Sequence, residues 1–186
     1  EVTMKKTINL LGLVLLAAIA GYGAYWYVLT NQAETQFVTQ LNDWQSKNPN
    51  EKFTYDSISK EGFPGHIKLR IENPHFTHKD ESGNFEANLK GFLTLSRSLW
   101  NNERSVETQG ESTVSLPPLN NEVPNPAKIS WKGYNVLTLE SDKTSHFEIF
   151  KQLLSKEDND DEEVSFKSWA SKLDEYHFSG DIDKDT

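Results

Sequence analysis

The chain has 186 residues, a net charge of -9, 11% aromatic residues and no cysteine. An acidic surface repels phosphate backbones and so argues against nucleic-acid binding. The lack of cysteine excludes disulfides and thiol chemistry, while the aromatic content favours a packed domain over a disordered one.

Ile8 to Leu29 carries no charge. As a helix it extends about 33 Å, enough to cross a hydrocarbon core of about 30 Å. Tyr22, Tyr25, Trp26 and Tyr27 crowd its C-terminal end, and aromatic side chains with polar tips suit the boundary between lipid and water. Lys5 and Lys6 precede the run, so the positive-inside rule places the remainder outside the cytoplasm. Met4 is a plausible initiator. Ala18-Ile19-Ala20 before Gly21 also fits a signal-peptidase site, but the apolar run continues past it and favours a retained anchor. Residues 1–30 are therefore expected to be a signal anchor, and 31–186 one extracytoplasmic domain.

Asn31 to Lys47 reads as an amphipathic helix with Ala33, Phe37, Leu41 and Trp44 on one stripe. Asn48-Pro49-Asn50 ends it. The period then falls to two. Phe53, Tyr55 and Ser57, then Ile67, Leu69 and Ile71, predict a hairpin around Gly62-Phe63-Pro64-Gly65. Asn73-Pro74 ends its second strand. Phe85, Ala87 and Leu89 start another strand, which continues past a bulge or bend at Gly91 to Leu95. Thr113 to Leu116 predicts a short strand, residues 117–126 a proline-rich connection, and Ile129 to Leu139 a strand. Two late helices are expected, His146 to Leu154 and one marked by Phe166, Trp169, Leu173 and Tyr176; the tail from Phe178 reads as a frayed strand. The order predicts an α+β fold: a transmembrane helix, then an amphipathic helix packed on a curved antiparallel sheet with late helices.

No nucleophile elbow, phosphate loop or dinucleotide fingerprint occurs, so no catalytic residue and no cofactor is assigned. His75-x-x-His78 lacks a third ligand. The acidic run Glu157 to Glu163 lacks the glycine of a calcium loop and reads as a solvated connection. No metal site is assigned. Phe63 and Pro64 are the candidate contacts for a ligand or partner, since an apolar residue stands at a turn apex. Phe63 is expected to tuck under the sheet rather than project. Tyr25, Trp26 and Tyr27 are the expected membrane-interface residues.

The aromatic end of the anchor, the helix through Trp44, Tyr55-Asp56-Ser57-Ile58-Ser59, Gly62-Phe63-Pro64, the Ile67-Leu69-Ile71 strand and Asn73-Pro74 together resemble the bacterial domain-of-unknown-function family 2125 of Gram-negative envelopes. The resemblance covers about the first 75 residues. It implies an uncharacterised single-pass protein of the bacterial inner membrane with a periplasmic domain. Members are longer, which implies a truncated or divergent chain here. Their layout is similar to that of envelope families with curved, lipid-handling sheets. The expected function is non-enzymatic binding of a lipid or amphipathic ligand on the curved sheet. The alternative is a scaffold that binds another envelope protein.

Overall fold

The computed structural model describes residues 2–80, 83–117, 128–140, 145–147, 150–151 and 165–179. One helix, α1 (Val2–Lys47), precedes eight strands: β1 (Glu51–Thr54), β2 (Ser57–Glu61), β3 (His66–Glu72), β4 (His75–Asp80), β5 (Gly83–Ser98), β6 (Glu103–Ser115), β7 (Lys128–Glu140) and β8 (Ser165–Ser179). All the strand pairings are antiparallel, in one open sheet. The α+β class expected from the periodicities is the fold that forms.

The expected anchor and amphipathic helix are one uninterrupted helix. Nothing in the sequence between them breaks it, since the first proline after the anchor is Pro49. The sheet-facing stripe starts earlier than Ala33. Trp26 bonds the sheet, Thr30 is 0% exposed, and Ala33, Phe37 and Leu41 follow as buried residues. Spacings of three and four keep these positions on one helix face.

β1 to β4 behave as one long hairpin. The register of β1 on β4 continues without a shift into that of β2 on β3. The two arms are interrupted opposite each other, at Tyr55-Asp56 and at Asn73-Pro74. Against β5, however, the register slips by one residue between β3 and β4. The extra residue is on β5, where Leu89, Lys90 and Gly91 stand opposite only Asn73 and Pro74; Asn73 faces it at φ 47°, a conformation that asparagine tolerates better than most side chains. Its backbone N–H donates to Gly91 O at 2.8 Å, its side-chain oxygen accepts from Gly91 N at 3.0 Å, and its Nδ2 donates to Asp56 at 2.7 Å. Asn73-Pro74 thus ends β3, as expected, and stands opposite a bulge in β5.

A row of glycines continues from this bulge. Gly91 pairs with Gly110, and Gly110 with Gly133. Gly91 has φ 151° and Gly110 φ 134°, far from the negative φ of regular strands. A Cβ on Gly91 would lie 2.0 Å from Gln109 O, and one on Gly110 2.2 Å from Lys90 O. Beside Gly133 the pairing of β7 with β8 also shifts. Aligned glycine kinks are a device by which sheets curve, and Gly91 stands at the irregularity expected there.

The core lies between α1 and one face of the sheet. Ile67, Leu69 and Ile71 are 2%, 0% and 0% exposed. Phe37 and Leu41 pack with Leu69, Ile71, Leu93 and Leu95, and Trp44 stacks on Phe76. Phe147 and Phe150 join this cluster, with Phe150 4.6 Å from Phe53 between ring centroids. Residues 146, 147, 150 and 151 are helical, as expected for the first late helix.

The second late helix is not formed: residues 165–179 are strand β8. Phe166, Trp169, Leu173 and Tyr176 pair with Leu139, Leu137, Gly133 and Trp131, which are alternate positions of β7. Two register shifts in β8 stretch a spacing of two into three at each end, and the spacing of four between them is two regular periods. β6 is also longer than the four residues expected from Thr113. The acidic run, the proline-rich connection from residue 118 and the tail beyond Ser179 lie outside the described residues.

Candidate functional site

Two regions of the molecule can meet something other than water. The first is the end of the sheet where β2 turns into β3. Gly62 has φ 100°, and a Cβ there would meet His66 O at 2.8 Å. Glycine therefore allows the sharp turn that brings Phe63 to its apex. The expectation that Phe63 tucks under the sheet is not met. It is 52% exposed and leans on α1 instead, with its ring centroid 5.5 Å from Trp26 and 5.9 Å from Tyr22. The reason is that the turn overshoots the sheet end, where α1 is the nearest apolar surface. Tyr22 Oη donates to Pro64 O at 2.5 Å, and Trp26 Nε1 to His66 O at 2.8 Å. Of the expected interface residues, Trp26 joins this clasp, whereas Tyr25 and Tyr27 are 57% and 60% exposed.

Trp100, in the turn between β5 and β6, was not singled out by sequence reasoning. It is 71% exposed and stacks on Tyr22 at 6.4 Å. Its indole lies against Gly65, where a Cβ would stand 2.7 Å from Nε1. The available signal was a tryptophan followed by Asn101-Asn102 in a turn, an apolar ring where turns are ordinarily polar.

α1 is long and apolar enough to cross a bilayer and could anchor the protein there. Only 6% of its most apolar window is buried inside the protein, so this is not a core helix.

The second region is the sheet itself. Its two faces differ in chemistry. On the outer face, away from α1, Lys68 pairs with Glu107 at 3.5 Å and Arg70 with Glu61 at 3.5 Å. Arg70 also lies 3.4 Å over the Phe92 ring. Burial, then the nearby Glu107 carboxylate, hold the Tyr134 phenol above its ordinary pKa. A shallow polar depression of about 240 Å³ on this face is lined by Lys68, Ser96, Glu103, Glu107 and neighbours. His75 and His78, three apart on β4, fall on opposite faces and stand beside different carboxylates, Glu86 at 2.9 Å and Glu51 at 3.4 Å. No cluster of three metal-ligating side chains occurs among the described residues.

The inner face is apolar. α1 lies over β1, β2 and β3, but the face continues onto β6 and β7. There Val114 pairs with Ile129, Ser112 with Trp131 and Val106 with Leu137. Val106 is buried, while Val114, Ile129, Trp131 and Leu137 are only half-buried. His146 sits between α1 and this surface, 3% exposed, with Nε2 3.0 Å from Ile67 O. Burial pushes its pKa down to about 4; the bond to Ile67 opposes this, and Arg97 and Arg104 push the same way.

No protein-family model, curated protein or solved structure matches this chain.

Proposed function

We propose that this is a non-enzymatic, membrane-anchored envelope protein that binds a lipid or other amphipathic ligand on the inner face of its curved sheet. The observation that carries the reading is the mismatch between cover and surface. α1 and the segment of Phe147 and Phe150 bury the face as far as Leu95 and Val106, whereas among the described residues Val114, Ile129, Trp131 and Leu137 stay half-buried. This strip is mixed, with Ser112 beside Trp131 and Asn135 hydrogen-bonded to Thr108 at 3.2 Å between the apolar pairs, and such a surface suits an amphipathic ligand. In this reading the domain is periplasmic, on the side of the bacterial inner membrane opposite Lys5 and Lys6. The resemblance to family 2125 belongs to the same proposal, because its Gly62-Phe63-Pro64 motif forms the turn clasped by α1.

The test is mass spectrometry of lipids co-purified with the full chain in mild detergent. A bound amphiphile near one per chain is expected for the native protein, and a marked loss in Trp131→Arg with the sheet intact by circular dichroism. Equal lipid in both proteins, or none in either, would overturn the reading.

A scaffold reading has one specific observation in its favour. β1 pairs only with β4 among the described strands, and a partner strand added at its other edge would replace the bond from Phe53 N–H to Gln45 Oε1 at 2.8 Å. Cross-links from Lys52 to a defined envelope protein, without bound lipid, would favour it.

A further inference from the structure

We propose that the two turns at the clasped end of the sheet, Phe63-Pro64 and Trp100, are inserted in the same bilayer leaflet that α1 leaves. The sheet is then fastened to the membrane through its own tips as well as through the helix. The inference uses the span reading of α1 but not the ligand reading of the inner face.

Depth is the first argument. Tyr22 precedes the end of the uncharged run at Leu29 by seven residues, about 10 Å along a helix. Pro64 is hydrogen-bonded to Tyr22 and His66 to Trp26, so the β2–β3 turn shares the depth of those residues. Trp100 stacks on the same Tyr22. Wherever Tyr22 meets lipid, both turns meet it.

The backbone of the turn is the second argument. A turn in water leaves its carbonyls to solvent, whereas a turn in lipid must satisfy them internally. Here Gly62 O accepts from His66 N at 2.8 Å and Gly65 O from Leu99 N at 2.9 Å. Pro64 O and His66 O take the donors from α1. Proline itself brings no N–H. The turn thus presents a largely satisfied backbone with an aromatic apex.

Composition is the third. Phe63 and Trp100 are 52% and 71% exposed, an unfavourable display of large rings to water that becomes favourable in the interfacial zone. The exposed Asn101 and Asn102 beside Trp100 suit headgroup depth.

Because the chain has no cysteine, single nitroxide labels can be placed cleanly. The full chain carrying one label at Phe63→Cys, Trp100→Cys, Leu15→Cys or Tyr134→Cys would be reconstituted in phosphatidylethanolamine–phosphatidylglycerol vesicles. Collision with oxygen and with a water-soluble nickel chelate would then be compared. Labels at 63 and 100 should favour oxygen, as the span label at 15 does, while the label at 134 favours the chelate. Native sheet content by circular dichroism checks each variant. Unlabelled protein gives a second reading: brominated lipid should quench more tryptophan emission in the native chain than in Trp100→Phe. Labels at 63 and 100 that favour the chelate while 15 favours oxygen would overturn the insertion and leave the anchor standing. A chelate-accessible label at 15 would overturn both. Equal quenching in native and Trp100→Phe chains would count against insertion of Trp100.

Discussion

Leu69 is the residue on which the helix–sheet contact turns. It is 0% exposed beneath Phe37 and Leu41, and its neighbour Lys68 points to the opposite, wet face. Leu69→Ala should cost about 2–5 kcal/mol in denaturant unfolding. Lys68→Ala should cost less than about 1 kcal/mol, because its ion pair with Glu107 is part-exposed. The reverse ranking would invert the register. Gly110 presents a different limit: any side chain there meets Lys90 O and must adopt φ 134°. Gly110→Ala should destabilise by at least about 1–3 kcal/mol, read as a lowered midpoint.

His146 makes a pH prediction. Its folded pKa is lowered to about 4 from an ordinary 6.5, first by burial. The unfolded chain therefore takes up a proton before the folded one does. Stability is unaffected above about pH 6.5 and falls as pH drops from there towards 4, by roughly 3 kcal/mol from this group. His146→Gln, which keeps a donor for Ile67 O, should flatten that limb of the profile. An unchanged slope would show that carboxylates control it.

At the scale of elements, the hairpin was legible because alternation is strict in Ile67, Leu69 and Ile71, and the helix because one stripe runs through Phe37 and Leu41. Strand β8 was not. Its two bulges space Phe166, Trp169, Leu173 and Tyr176 as a helix would, and only the pairing partner reveals the period of two. The full length of β6 was also hidden, since Glu103 to Ser115 contains few apolar residues and is held by ladder bonds on both sides. The clasp was half legible. Phe63-Pro64 and the aromatic end of the anchor each stood out, but their contact is a matter of tertiary geometry, as is the approach of Trp100. Asn73 was read only as a strand end, although its side chain ties both arms of the hairpin to β5. Asn73→Ala should lose two side-chain bonds and lower stability by about 1–3 kcal/mol. Calorimetry on the full chain would measure it, and a neutral result would mean that the bulge is fixed by Pro74 and Gly91 alone.

On the scale of the whole molecule, one long helix serves two environments. In its first half Leu13, Leu15 and Leu16 are more than 60% exposed; its second half is the apolar partner of β1 to β3. Because the two halves share one helix, a membrane crossed by the first half would be held in a fixed relation to the sheet without a linker. Lys60 strengthens the join, donating to Asn31 and Glu34 at 2.7 Å each. The sheet carries its inner face from the clasped end past the glycine row to Val114 and Ile129. The proposed amphipathic ligand would lie on the half-buried part of that face. A photo-reactive phenylalanine analogue at Val114, on the inner face, and at Tyr134, on the outer one, tests this claim in intact membranes of the expressing cell. A lipid-sized adduct at position 114 and none at 134 is the expected result. No adduct at 114, or equal adducts at both positions, would contradict the claim.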